Sequence, residues 1–510
     1  MLGDKTKFEL PYLTFREQFD AVVNGTVDVS TAQTTPTMQR DILEPLSKYG
    51  MAFTRPYFYS GTTFAGVPEF VECADQGETL QGVCRDLSVC VVDGSVTQDL
   101  VRDMIGGTVM HTVTTRDDLF LRLADGTCNV ITGAPMIIYD GAASDAGYTG
   151  PYAFAPRFYN RDPLALTTRN NDPEFGDMVN WMLRSLIVAE ALNITQDRAD
   201  EFPTTDLFGE EYTYLFQNAI SAVGNFGELY SRTWEDRVPR RLGGINSPHL
   251  KAENGGLLYP NPLGKIDDFD SALDAQESTS LGPVPNGTLA EIASRQELRC
   301  GIVVGGSRQP GLAQWNNELS DWEGLDVDFC RGVAAAVLAG DVSLLVFVPY
   351  ESTEEGFSAL ANHEVEVLAG AEYNMVNDIR EPTSGIGFGF SDVYYYHSEI
   401  GNDNAETVVL FALATRQPDV QWTDFVRSMV AATVHAEAAG ITKEAAAEMP
   451  LLELFGPYYR QALRDMVVSV GNYAEIYERN VEVYLPRVNN ARNTLNSGGN
   501  PMFFSNWRFD

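Results

Sequence analysis

Leu298-Arg-Cys-Gly-Ile-Val-Val304 reads as a short apolar strand, and Gly-Gly-Ser-Arg-Gln-Pro-Gly311 downstream as a loop. Leu325-Asp-Val-Asp-Phe-Cys-Arg-Gly-Val-Ala-Ala-Ala-Val-Leu338 has helical periodicity and strong helix formers. Val342 to Val348 reads as a second strand. Thr353 to Ala361 reads as a helix with Phe357 and Leu360 three apart on its inner face, and Val365-Glu-Val-Leu368 as a third strand. Asn286-Gly-Thr-Leu-Ala-Glu-Ile-Ala-Ser, ahead of the first strand, is a capped short helix. Strand, helix, strand, helix, strand at this spacing predicts a parallel α/β sheet.

Part of this unit occurs earlier in the chain. Phe357-Ser-Ala-Leu-Ala-Asn362 echoes Phe19-Asp-Ala-Val-Val-Asn24, and the register of 338 residues holds from Pro11/Pro349 through Val29/Val367. Further on, Ser221-Ala-Val-Gly-Asn-Phe-Gly-Glu-Leu-Tyr230 returns as Val468-Ser-Val-Gly-Asn-Tyr-Ala-Glu-Ile-Tyr477, at a register of 247 residues that holds from Leu166/Leu413 to Pro239/Pro486. The two registers differ by 91 residues, the length the second copy lacks. Solenoid periods run to about 50 residues, so this is a duplicated domain. The first copy enters the scheme late: Phe8-Glu-Leu-Pro11 matches Val346-Phe-Val-Pro349 at the end of the second strand, which would place its first strand and helix before Met1. It also carries a block absent from the second copy. There Leu87 to Val92, Val109 to Val113 and Cys128 to Ile131 read as strands. Gly94-Ser-Val-Thr-Gln opens one helix, and Thr115 to Ala124 forms another with Asp117 and Asp118 in its first turn.

The expected organisation is a first copy over 1–264, with one lobe from 1–65 and 165–264 and another from 80–164. A linker rich in Asp, Ser, Gly and Pro follows at 265–285. The second copy covers 286–510 and lacks most of its second lobe.

Composition bounds the function. The chain has 510 residues, 44% hydrophobic and 21% charged, an ordinary globular balance. A formal charge of −36 repels nucleic acid and anionic lipid. No apolar run approaches the roughly 18 residues that span a bilayer. The first residues, Met1-Leu-Gly-Asp-Lys-Thr-Lys, do not form a signal peptide. Six cysteines (Cys73, Cys84, Cys90, Cys128, Cys300 and Cys330) fit three disulfides or six buried thiols. Without Cys-x-x-Cys or paired histidines they do not suggest zinc. No nucleophile elbow, phosphate-binding loop or cofactor motif occurs, and the five histidines are scattered, so neither an enzyme nor a cofactor is expected.

These residues resemble the type II periplasmic solute-binding proteins of polar amino-acid ABC transporters (solute-binding protein family 3), most like their general L-amino-acid-binding branch. The carriers are Leu298-Arg-Cys-Gly-Ile, Gly324-Leu-Asp-Val-Asp-Phe-Cys-Arg-Gly-Val-Ala-Ala-Ala-Val and Phe19-Asp-Ala-Val-Val-Asn-Gly-Thr-Val-Asp-Val. Asn254-Gly-Gly-Leu-Leu-Tyr and Val470-Gly-Asn-Tyr-Ala-Glu-Ile-Tyr-Glu-Arg-Asn480 add to them. The resemblance implies an α/β fold of tandem periplasmic-binding-protein-like type II domains, the first bilobal and the second reduced to about one lobe plus C-terminal helices. It implies a periplasmic or extracellular location, ABC-transporter membrane subunits as partners, and capture of a small polar solute by the first copy. It also implies disulfides Cys90–Cys128 and Cys300–Cys330, and Cys73 and Cys84 flank a short loop that would take a third.

A free amino acid presents a carboxylate and an ammonium. The resemblance assigns the carboxylate to Arg40 at the end of Thr35-Pro-Thr-Met-Gln-Arg40, with Thr35 and Thr37 beside it. Gly94, Ser95 and Thr97 open a helix on the opposite lobe, a ready anion site. The family's ammonium-binding aspartate falls on Ala134, leaving Asp140 or Asp145 as stand-ins. In the second copy the constant register places Asp378 opposite Arg40, and no clamp is expected there. These departures motivate an alternative: a structural or protein-interaction protein that keeps the fold without a ligand.

Overall fold

The computed structural model describes residues 7–42, 50–160, 162–236, 240, 246, 283–305, 309–400, 406–489 and 491–495. Most of the expected linker and Asn254-Gly-Gly-Leu-Leu-Tyr lie outside these residues. In chain order the first strands are Ser30–Thr34 (β1), Met51–Phe53 (β2), Phe58–Ser60 (β3), Thr63–Gly66 (β4) and Ser88–Val92 (β5). Val109–Val113 (β6), Val130–Gly133 (β7), Ala153–Phe154 (β8) and Asp162–Arg169 (β9) follow. The later strands are Leu298–Val303 (β10), Gln314–Asn316 (β11), Asp321–Glu323 (β12), Leu345–Tyr350 (β13) and Val367–Glu372 (β14). Phe388–Phe390 (β15), Tyr395–Ile400 (β16) and Glu406–Arg416 (β17) complete them.

Three sheets carry the fold, and β11–β12 forms a separate hairpin. The largest runs β13-β10-β14-β17-β15, with β16 also on β17. Its β13, β10 and β14 are parallel, as the alternation of strands and helices requires. The smallest repeats only part of that order, β1-β9-β2, with β3 also on β9. The third, β6-β5-β7-β4-β8, is the block unique to the first half. It begins at Thr63, so residues 63–79 belong with this lobe, ahead of the expected 80.

Among the described residues the sheet of the first half has no counterparts of β10 and β13. Phe8-Glu-Leu-Pro11, expected to end a strand, forms none: with no equivalent of β10 to pair with, Phe8 and Leu10 are 54% and 81% exposed. Nor, among the described residues, does the first half have a counterpart of the helix Leu325–Val337. In the second half it packs on Ala462–Val470, leaving Val470 2% exposed, whereas the matching Val223 on Leu215–Val223 is 37% exposed. Both halves close on a capping box, Asn225 with Glu228 and Asn472 with Glu475. Each glutamate also accepts a backbone N–H from the preceding loop, Gln196 or Lys443. The recurrence of these residues is therefore architectural.

All three cysteine pairs are bridged, Cys73–Cys84, Cys90–Cys128 and Cys300–Cys330, at Cα separations of 5.5, 5.8 and 6.0 Å. A buried cysteine on β10 and one on the helix behind it make the last of these a strand-to-helix staple.

The two halves pack about a pseudo-two-fold axis. Asn170, just after β9, donates to Asp424 at 2.9 Å and to the carbonyl of Asp41 at 3.2 Å. Gln417, its equivalent after β17, donates to Asp177 at 2.6 Å and to the carbonyl of Asp378 at 3.4 Å. Asp177 and Asp424 are themselves equivalent, each in the first turn or so of a long helix, Pro173–Ala191 and Val420–Ala439. Reciprocal contacts of this kind define an isologous interface. On such an axis equivalent residues meet, and two like charges would repel. Here Arg55 faces its equivalent Asp392 at 2.9 Å. Reversing either charge alone, Arg55→Asp or Asp392→Arg, is expected to lower stability by about 1–2 kcal/mol. The double exchange should restore most of the loss, as measured by urea denaturation; additive losses would show that the pair does not interact.

Candidate functional site

A cavity of about 90 Å³ lies where the first sheet meets the five-stranded one. The chain crosses between these lobes twice, at 61–62 and between β8 and β9, so the cavity sits beside a double hinge. β1 ends at Thr34 and the chain turns through Thr35 to Thr37 into the helix Met38–Ile42. The Thr37 hydroxyl accepts the Arg40 backbone N–H at 3.1 Å, which fixes the first turn and aims Arg40 at the cavity. Its guanidinium stacks over Phe19 with 4.9 Å to the ring centre and lies 5.7 Å from that of Phe15. It donates to the Thr35 carbonyl at 2.8 Å and across the cleft to the Gly94 carbonyl at 3.2 Å.

The opposite wall begins where β5 ends. Gly94 has φ of +71°, a left-handed turn that glycine adopts without a steric cost. Ser95 caps the helix Val96–Ile105 by accepting from Gln98 N–H. Thr97 is buried, with its hydroxyl 3.2 Å from that of Thr62. Thr132, Gly133 and Ala134, at the end of β7, form the floor.

Of the residues singled out from sequence, Thr35, Arg40, Ser95 and Thr97 line this cavity. Gly94 contributes the carbonyl that meets Arg40. Thr37 lines instead a second cavity, of about 190 Å³, between the two halves. Asp140 and Asp145 are exposed on the helix Asp140–Asp145 and take no part in the lining.

Two charged residues at the site escaped the sequence reading. Arg116 is the first residue of the helix Arg116–Ala124, directly after the capping Thr115. It lines the cavity, and burial lowers its pKa against the opposing influence of Tyr12 and Tyr57. Its neighbours Asp117 and Asp118 draw attention as first-turn acids, and only Asp118 has a local task, closing the capping box. Asp162 opens β9 opposite Ser60 and is 8% exposed. It accepts from Asn160 at 3.0 Å and Thr62 at 3.4 Å, and burial pushes its pKa up to about 6 despite Thr62 and Arg40. The only sequence signal was a carboxylate at the head of an otherwise apolar strand.

The second half has no comparable cleft among the described residues, because β16 runs straight back onto β17. The residue equivalent to Arg40 is Asn377, not Asp378. β1 spends one residue more than β14 between matched contacts on the long strand, Ser30↔Thr167 to Thr34↔Ala165 against Leu368↔Ala414 to Ala371↔Ala412. This bulge shifts the register from 338 to 337. Asn377 accordingly repeats Arg40's contact, donating to the Glu372 carbonyl at 2.8 Å, and Asp378 matches Asp41. Among the described residues no cluster of His, Cys, Asp or Glu suits a metal, and no helix is long and apolar enough to cross a membrane.

No protein-family profile matches the chain. YhdW of Escherichia coli, an amino-acid ABC transporter-binding protein by name, is 27% identical over 288 residues, covering 52% of this chain and 79% of its own. The chain is similar in sequence to binding proteins of amino-acid ABC transporters. Two further relatives are the general L-amino acid-binding periplasmic protein AapJ of Rhizobium johnstonii and BztA of Rhodobacter capsulatus. AapJ is 25% identical, over 52% of this chain and 79% of its own. BztA, a glutamate/glutamine/aspartate/asparagine-binding protein, is 26% identical, over 52% of this chain and 80% of its own. A solved periplasmic binding protein from Brucella ovis with glutathione bound aligns over 49% of this chain and 81% of its own, at 22% identity and a TM-score of 0.39.

Proposed function

We propose that this protein is an extracytoplasmic solute-binding protein whose first half captures an amino acid or a similar small carboxylate for an ABC transporter. The observation that carries this reading is the cavity between the lobes, with the Arg40 guanidinium on one wall and the Ser95-capped helix on the other. A bidentate guanidinium and a helix N-terminus are the two devices that hold a carboxylate best. The amino-acid-binding activities named for the relatives, and their periplasmic setting, support the reading, as do three disulfides suited to an oxidising compartment. Thr35, Thr97 and the Gly94 turn shape the site, and the second half serves as its packing partner.

Ala134 supports a second reading. Where the family places the ammonium's aspartate this floor is apolar, which suits a structural protein that keeps the clamp without a ligand. Isothermal titration calorimetry with an amino-acid panel separates the two. Binding by the wild type, weakened by about 2 kcal/mol or more in Arg40→Ala, is expected. Absence of any response, or one indifferent to Arg40→Ala, would favour the structural reading.

A further inference from the structure

The cavity's charged lining is unbalanced in a specific way. Among the described residues Arg40, Arg116 and Asp162 are its side chains with formal charge, two guanidiniums against one carboxylate. Neither Arg116 nor Asp162 forms an ion pair with any described residue. Each is removed from water, Asp162 to 8% exposure, at a cost that a counter-charge would offset. Among the described residues Asp162 accepts from the neutral Asn160 and Thr62. Such groups are arranged for a ligand carrying two negative charges and one positive.

Building on the solute-binding reading above, we infer that the ligand is a dicarboxylic amino acid, with Asp162 receiving its ammonium and Arg116 its second carboxylate. Arg40 and the helix N-terminus hold the α-carboxylate. Asp162 thus takes over the role that Ala134 cannot fill, from the hinge strand β9 and not from the floor at the end of β7. The exchange is sterically sensible, since β9 begins where the chain re-enters the first sheet from the other lobe, which puts Asp162 among the residues lining the cavity. The raised pKa of Asp162 agrees: burial works against its charge more than Thr62 and Arg40 favour it, and an ammonium would offset that cost.

The test is calorimetry on the full chain with L-glutamate, L-aspartate, L-glutamine, L-lysine and glutarate, which is glutamate without its amine. The wild type should bind an acidic amino acid at least about tenfold more tightly than L-glutamine and prefer L-glutamate to glutarate. Asp162→Asn should lose about 30-fold or more for L-glutamate while binding glutarate as well as or better than the wild type. That reversal cannot come from misfolding, since the variant's glutarate site must be intact. Arg116→Gln should narrow the glutamate-to-glutamine ratio. Binding of neutral or basic amino acids in preference, still dependent on Arg40, would overturn this assignment and leave the solute-binding reading standing. Equal losses for L-glutamate and glutarate in Asp162→Asn would also overturn it. No binding of any of the five would overturn both.

Discussion

Arg427→Ala is expected to destabilise the protein by about 3–5 kcal/mol at pH 7.5. Arg427 projects from the helix Val420–Ala439 into the seam between the halves. It donates to Asp41 of the first half at 2.8 Å, to Asp424 of its own helix at 3.1 Å and to the Phe390 carbonyl at 3.3 Å. Burial works against its charge, but Asp41 and Asp424 more than offset that and hold its pKa above the ordinary value. Burial raises both carboxyls, and Asp41 raises that of Asp424 further, although Arg427 opposes each shift. Removing Arg427 leaves both acids in the seam without a counter-ion. A buried ion pair is worth little against a well-packed apolar replacement, yet breaking one half of it is costly. The triple variant Arg427→Met, Asp41→Asn, Asp424→Asn should therefore recover most of the loss. Urea denaturation checks both; a single-variant loss below about 1 kcal/mol would show that the seam is wet enough to solvate the two acids unaided.

The contrast between what the sequence disclosed and what it hid follows from range. The parallel sheet of the second half was legible because β10, β13 and β14 are continuous apolar runs separated by a periodic helix, a local signal. The disulfides followed from the family resemblance, and the helix start at Gly94-Ser95 from local spacing. Arg116 and Asp162 were not legible. They lie 46 residues apart and line one cavity only because the chain re-enters the first sheet at β9; the local signals beside them do not point to a shared site. The register error at Arg40 has a similar origin. A bulge in β1 is invisible in aligned letters, and only its pairing with β9 shows that Asn377 stands in Arg40's place. The pseudo-two-fold seam was hidden for a further reason. Asn170 and Gln417, or Arg55 and Asp392, differ in identity at equivalent positions, so a repeat search reads them as divergence although they are the complementary halves of one interface.

That seam also makes stability depend on pH with an unusual sign. Asp378 is 6% exposed, and burial pushes its pKa up to about 6 although Trp181 donates to it at 2.6 Å and Arg184, Arg55 and Arg427 stand near. Asp177, on the facing helix, is raised well above the ordinary range by burial and then by Asp378 itself. Asp41, Asp392 and Asp424 and the phenol of Tyr373 complete the ionisable groups around the cavity. For a carboxyl whose folded pKa exceeds its unfolded value, the folded state holds the proton more tightly. The stabilisation is present below the unfolded value near 3.8 and is lost as pH rises through about 6. The gap is worth about 3 kcal/mol. Asp378→Asn resembles the neutral acid and keeps an oxygen for the Trp181 indole. It should therefore stabilise the protein by up to about 3 kcal/mol at pH 7.5 and by about half as much at pH 5. Denaturation of the two proteins at both pH values measures the difference. A variant destabilised equally at each would mean that the ionised Asp378 is held by its arginines more firmly than burial opposes it, and that the seam is fastened by charge throughout the range.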